Sequence, residues 1–315
     1  MFRSRKYRVD NEQVVLAVTI LLVMLVIILT STATFCLSGV FIVGMFLISA
    51  LMIRSHHRAL MQTAKLVTPG QTPKMAAVVE DCARKLQPGD VETYLVRKDQ
   101  MNAYTFGISD PKALVVYTPL ISVMSPGELK FIVGHEMGHV ALGHTWLNTI
   151  VGGLAGIPAP FGAAVILYAA FRWWNRMCEF SADRAGLLAC GDLNLGVSAL
   201  VRLAAPNIRN QQEFERALAM LDAQDDQVNN RLAELFQTHP MLIRRIEKLR
   251  DYARTEEYRW LQAGVNRNVG MAQPEEETRN QARVEPSEPV QPRAPEEPPK
   301  TAEERWPWLK PKDDL

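Results

Sequence analysis

Ser125-Pro126-Gly127-Glu128-Leu129-Lys130-Phe131-Ile132-Val133-Gly134-His135-Glu136-Met137-Gly138-His139 is the stretch on which the reading of this chain turns. It opens as a helix start: Ser as N-cap, Pro at the first position, and Glu at the third, where it can close a capping box. The spacing predicts one helix from Pro126 to about His144, with Leu129, Ile132, Val133 and Val140 on its apolar side. His135 and His139 are four apart, so they lie about 40° from each other on one face and can reach a single ion. Glu136 lies roughly 100° round from His135 and flanks that ion without ligating it. Two neutral imidazoles and an adjacent carboxylate are what a zinc hydrolase requires. Gly134 and Gly138 would let another backbone approach closely. His144, nine residues beyond His135, falls about 180° round such a helix and is expected at the surface or as a cap.

A catalytic zinc takes three protein ligands and keeps one position open. Glu179-Phe180-Ser181-Ala182-Asp183 offers a carboxylate pair four apart on a second helix. Glu179 suits the third ligand, and Asp183 can accept the N–H of a ligating histidine and fix its tautomer. Spacing alone leaves open an ordinary carboxylate pair beside Arg176 and Arg184. Between the motifs lies the largely apolar run 146–174. A single membrane crossing there would put Glu179 about 30 Å from His139. Gly152-Gly153, Gly156 and Ile157-Pro158-Ala159-Pro160 break it, so a helical hairpin is expected, with arms at 146–156 and 161–174.

The chain has 315 residues and a net charge of +1, with neither the basic excess of a nucleic-acid binder nor an acidic one. Its four cysteines show no C-x-x-C spacing, hence no thiolate zinc site and no disulfide framework. Arg3, Arg5, Lys6 and Arg8 open the chain, and no charged residue follows from Gln13 to Ile53. As one helix that run would reach about 60 Å, twice a bilayer's hydrocarbon core. Two spans, about 14–32 and 35–53, fit better, so residues 1–58 form a membrane anchor. Basic residues flank both ends, which places the termini and the active site on the cytoplasmic side. His56 and His57 are expected as a solvated pair at the membrane edge.

Residues 59–262 form the catalytic domain. Lys74–Leu86 reads as a helix. Val91–Arg97, Asn102–Ile108 and Ala113–Tyr117 read as strands, Thr118–Met124 as a short helix, and Asp192–Ala204, Gln211–Phe236 and His239–Trp260 as helices. The fold class is thus mainly α with a small antiparallel β-sheet, preceded by the transmembrane hairpin. Residues 263–315 carry nine prolines after Gln273 and read as a disordered Pro/Glu-rich tail. Its Trp306-Pro307-Trp308 island is a candidate docking motif for a protein partner.

In order and spacing, Asn102-Ala103-Tyr104, Ala113-Leu114-Val115-Val116-Tyr117-Thr118, His135-Glu136-Met137-Gly138-His139 and Glu179-Phe180-Ser181-Ala182-Asp183 resemble the HtpX-like zinc metallopeptidases. That family also includes the CAAX prenyl endopeptidases. The resemblance covers about 74–252. It implies a zincin-like α+β fold and a membrane-associated endopeptidase holding one Zn²⁺ on His135, His139 and Glu179. Glu136 would be the base and Asp183 the partner of a ligating histidine. Thr238-His239-Pro240 looks like the family's late H-P motif. By that likeness His239 stabilises the tetrahedral intermediate, and Arg244 anchors the site or pairs with Glu247. The Asn102-Ala103 strand resembles the edge against which such proteases lay an extended substrate. The implied substrates are membrane-associated proteins, the implied surface is the lipid bilayer, and no nucleic acid is involved. HtpX itself is described with four spans, two of them between the histidine motif and the third ligand; here that interval holds one broken run. A prenyl-protein endopeptidase and a catalytically retired membrane adaptor acting through its tail are the competing readings.

Overall fold

In the computed structural model the helix that starts at Pro126 packs into the centre of the molecule, and the other elements are arranged around it. The structure describes residues 6–33, 57–152, 162–204 and 240–266, with isolated positions between 44 and 55. In chain order the elements are α1 (Glu12–Ala33), β1 (Lys65–Leu66), α2 (Pro73–Leu86), β2 (Val91–Val96), β3 (Ala103–Phe106), β4 (Lys112–Tyr117), α3 (Thr118–Val123), α4 (Pro126–Ala141), α5 (His144–Gly152), α6 (Gly162–Cys190), α7 (Leu193–Ala204) and α8 (Pro240–Ala253). The expected second membrane span, the expected turn of the 146–174 hairpin, the expected helix at 211–236, His239 and nearly all of the tail lie outside the described residues.

The sheet is mixed, not antiparallel as the sequence suggests. Its order is β1-β2-β4-β3, with β2 and β4 parallel and the other pairs antiparallel. The reason lies in β4. Its run Ala113-Leu114-Val115-Val116 is buried throughout, which suits a strand paired on both sides. β3 is left as an edge. The chain therefore passes from β2 to the edge and returns to fill the middle.

α4 begins with the capping box. Ser125 Oγ accepts from the Glu128 N–H, and Glu128 Oε2 accepts from the Ser125 N–H at 2.7 Å. Glu128 also reaches α7, where its other oxygen takes the Ser198 hydroxyl and Arg202 Nε. Burial pushes this carboxyl up, but the hydrogen bonds from Ser198, Ser125 and Arg202 outweigh it and hold it below the ordinary range. Phe131, Val133 and Met137 are fully buried against Cys82 and Leu86 of α2, Leu187 and Leu188 of α6, and Leu200 of α7. A helix covered all round in this way needs no amphipathic stripe.

Two departures from expectation concern the ends of elements. α4 stops at Ala141, because Gly143 adopts φ +78° and its N–H bonds back to the Val140 carbonyl. Glycine at this position is a common helix stop. His144 therefore starts α5 in a new direction. The other departure is that the expected second arm and the Glu179 segment are one continuous helix, α6. α8 ends at Ala253, and the chain is helical again over 256–266. His57 is not a solvated residue: it is buried, and its ring stacks on Phe106 at 3.7 Å between centroids.

α1 packs through Val15 against Trp174 and Cys178 of α6. Thr19 Oγ1 donates to the carbonyl of Val15. Val14, Leu21, Leu25 and Leu29 on its other sides are exposed. Among the described residues no helix is long and apolar enough to cross a membrane.

Two substitutions in α4 probe this packing. A Cβ on Gly138 would fall 2.6 Å from Ala185 Cβ and 3.3 Å from Ala182 Cα. Gly138→Ala is expected to destabilise the fold by about 1–3 kcal/mol, read as a lower thermal midpoint. Glu128→Gln is expected to cost about 2 kcal/mol at neutral pH. Because the folded-state pKa of Glu128 is depressed, its contribution is complete above the unfolded value of about 4.3 and is lost as pH falls below it. Urea titrations of both proteins from pH 7 to pH 3 should show the difference shrinking below about pH 4.

Candidate metal centre

His135 and His139 project from α4 toward α6. Their Nε2 atoms are 3.2 Å apart. Glu179 of α6 completes a triangle, with one oxygen 3.5 Å from His135 Nε2 and the other 3.5 Å from His139 Nε2. Each ring is fixed from behind. His135 Nδ1 lies 2.9 Å from Asp183 Oδ1. His139 Nδ1 lies 3.0 Å from His144 Nδ1, and His144 Nε2 lies 2.9 Å from Glu12 Oε1.

These contacts assign the tautomers. Burial pushes the Glu12 carboxyl up, but the hydrogen bonds from His144 and Ser181 and the charge of Arg8 hold it below the ordinary range. Glu12 therefore accepts, and His144 Nε2–H donates. His144 Nδ1 faces His139 Nδ1 at 3.0 Å, where one ring nitrogen must donate and the other accept; with the His144 proton on Nε2, its Nδ1 is the acceptor. That acceptor takes the Nδ1–H of His139. Asp183 takes the Nδ1–H of His135 in the same way. Both Nε2 atoms then face each other and the Glu179 carboxylate.

Two imidazole nitrogens and a carboxylate converging at this spacing can each turn a lone pair to one cation held among them. A tetrahedral ion with bonds of about 2.0–2.1 Å sets its ligand atoms about 3.3 Å apart, which matches the observed edges. The chemistry of the donor set therefore fits one zinc-type ion held by His135, His139 and Glu179.

Arg245 of α8 is the residue that sequence reasoning misses. Its Nε and Nη2 donate to the two oxygens of Asp183 at 2.8 and 2.6 Å, and its Nη1 lies 3.1 Å from Glu179. Burial pushes both carboxyls up, but the Arg245 charge together with the hydrogen bonds and charges of the neighbouring histidines outweighs it and holds them below the ordinary range. Arg244, the expected anchor, is exposed. The signal that separates the two is periodic. Leu242, Ile246 and Leu249 are the buried face of α8, and Arg245 lies three residues from the first and four from the last. Arg244 lies outside that face.

His144 is the other correction. It is buried, not superficial, because the helix on which its angle was reckoned ends three residues before it.

The centre opens into a cleft of about 330 Å³. Glu136 lines it together with the ligands, Ile132, Asn148 of α5, Leu203 of α7, and Asn102, Ala103, Tyr104 and Thr105. The Tyr117 N–H donates to the Asn102 carbonyl, which fixes the parity of β3. Asn102, Tyr104 and Phe106 turn their main-chain groups to β4, and Ala103, Thr105 and Gly107 turn theirs outward. The outward Gly107 N–H is already taken by Thr149 Oγ1 of α5 at 3.1 Å. Among the described residues, the open edge is thus Ala103 and Thr105.

A helical domain with this two-helix centre defines the class: the model of Peptidase family M48 matches residues 69–253, more than half of the chain. The chain belongs to that family, and within it is HtpX-like. It is 29% identical over 221 residues to the plastoglobule-localized metallopeptidase 48 of Arabidopsis thaliana, covering 65% of this chain and 64% of that one. The chain thus spans just under two thirds of that relative. It is 27% identical to a protease HtpX homolog of Ralstonia pickettii, covering 63% of this chain and 80% of that one. A protease HtpX homolog of Thermococcus kodakarensis is 26% identical, with 60% and 77% covered. No solved structure matches.

Arg245→Ala leaves Asp183 and Glu179 buried without their cation, and is expected to weaken zinc binding about 10- to 100-fold. Arg244→Ala should leave it unchanged. Competition with a chelating indicator on both variants checks this.

Proposed function

We propose that this chain is a membrane-anchored, zinc-dependent endopeptidase. The observation that carries the reading is the triangle of acceptors described above, with Glu136 beside it and a strand edge across the cleft. Bound zinc supplies Lewis-acid chemistry, lowering the pKa of a water and polarising a carbonyl. The residues of the chain do the rest. Ala103 and Thr105 present outward main-chain groups to an extended peptide, which adds as a strand. This lays the scissile carbonyl across the cleft. The Glu136 carboxylate accepts the proton of the attacking water and returns it to the leaving amine. Asp183 and His144 keep the histidine rings from turning, and Arg245 keeps Asp183 in place. His239, the residue just before α8, is proposed to stabilise the oxyanion; it lies outside the described residues.

Anchoring is supported by the uncharged run 13–53 and by the exposed apolar residues of α1. The basic flanks favour a cytoplasmic site. Substrates are then proteins or peptides presented near the bilayer, and the work is processing or quality control of membrane proteins.

The test is casein proteolysis by detergent-purified wild type and Glu136→Gln, with zinc measured in both. The wild type should cleave, the variant should lose at least about 100-fold in rate, and each should hold about one zinc. Full activity in Glu136→Gln sinks the base role, and absence of zinc in the wild type sinks the whole reading. Cleavage of a prenylated peptide in preference to casein would favour the prenyl-protein endopeptidase instead.

A further inference from the structure

Behind the metal centre lies a group of buried polar side chains that peptide hydrolysis does not itself require. Glu12 is 1% exposed and His144 is 2% exposed. Their side chains meet across 132 positions of sequence, at 2.9 Å. The second Glu12 oxygen takes the Ser181 hydroxyl, and Ser181 Oγ accepts the Val9 N–H at 2.9 Å. Arg8 completes the knot: its guanidinium donates to Glu12 and, at 2.7 Å, to the carbonyl of Leu142, the residue that caps α4. Residues 8–12 are thereby tied to the end of α4, the start of α5 and the middle of α6.

A carboxylate this deeply buried is costly unless its lone pairs are used. A segment that served only to tether α1 would be secured more simply by apolar residues. One atom of the knot leads onward to the centre: His144 Nδ1, 3.0 Å from His139 Nδ1.

We propose that Glu12 and His144 are positioning residues for His139, so that the first turn of α1 is a working part of the metal centre. The inference rests on the zinc reading given above. Glu12 accepts the Nε2–H of His144, and this leaves His144 Nδ1 without a proton. That nitrogen accepts the Nδ1–H of His139 and turns the Nε2 lone pair of His139 into the cleft. Without Glu12, His144 can flip or carry its proton on Nδ1. It then faces His139 N–H to N–H, and His139 must rotate or change tautomer. Asp183 does for His135 what this pair does for His139, so each ligating ring is pinned by a partner outside its own helix.

A rival use of the same atoms is a second metal site, since ligand atoms of Glu12, His144 and Cys178 all lie within 4.8 Å of one another. The geometry favours the relay. Glu12 and His144 are bonded to each other, and the remaining Glu12 oxygen and His144 nitrogen are both occupied.

The test is zinc affinity of the full-length protein in detergent, by competition with a chelating indicator, for wild type, Glu12→Ala, Glu12→Gln, His144→Phe and the Glu12→Ala/His144→Phe double variant. Each alanine or phenylalanine variant should bind zinc about 10- to 100-fold more weakly. The double variant should lose no more than the worse single one, because both act through one chain of bonds. Glu12→Gln keeps an acceptor oxygen and should fall between wild type and Glu12→Ala. The visible bands of the cobalt-substituted protein should shift in Glu12→Ala, a change that a purely structural role would not cause. Unchanged zinc affinity in folded Glu12→Ala and His144→Phe overturns the inference, as do losses that multiply in the double variant. Two zinc ions in the wild type, with one lost in Glu12→Ala, overturn it in favour of the second site. No zinc in the wild type would instead remove the proposed function on which it stands.

Discussion

Two helices can bring three ligands to one point only where their backbones nearly touch. α4 and α6 do so through a seam of the smallest side chains. Gly134 faces Ala189 and Gly186, and Gly138 faces Ala185 and Ala182. The seam runs alongside the ligands, with Gly134 next to His135 and Gly138 next to His139. It therefore sets the separation of the histidines from Glu179, and every other feature of the site presupposes that separation. Gly186 answers from the other side, where a Cβ would meet the Phe131 carbonyl at 2.8 Å. Interiors packed at this density do not stretch to absorb a methyl group.

The electrostatics are organised on the same seam. Glu136, Glu179 and Asp183 bring three carboxylates, and Arg245 brings one guanidinium, which leaves a formal charge of −2 around the cleft. That is the complement of one divalent ion. Arg245 is the economical choice for the counter-charge: its planar fork grips both Asp183 oxygens and still reaches Glu179. A lysine in its place would neutralise charge without holding geometry.

Much of this is legible in the sequence, and the limits have identifiable causes. The pairs His135/His139 and Glu179/Asp183 are four apart, so helical periodicity alone puts each pair on one face, and the structure brings the two faces together. The capping box at Ser125 and Glu128 can be read from local chemistry in the same way. What escapes is non-local or depends on where an element ends. His144 is misplaced by continuing a helix that Gly143 stops. Arg245 is passed over for its neighbour when the motif is matched by position instead of by the buried face of α8. Glu12 shows locally only an ordinary i,i+4 pair with Arg8, since the partners that give it its place are 132 and 169 residues away. The parallel pairing of β2 and β4 is hidden for a related reason: three strands in succession do not disclose which of them takes the middle.

The short open edge of β3 sets how the cleft can hold a chain. Ala103 and Thr105 offer two N–H and two C=O groups, and beyond them Thr149 already occupies Gly107. At about 1 kcal/mol for each net hydrogen bond, this grip amounts to about 4 kcal/mol, equivalent to a dissociation constant of about 1 mM. A peptide diffusing freely would seldom be retained. A chain held beside the cleft by some other attachment meets it at an effective concentration of the same order, and no further affinity is then needed. Under the proposed function, the length of one strand edge would bias the choice of substrate toward neighbours over strangers, before any side chain is read.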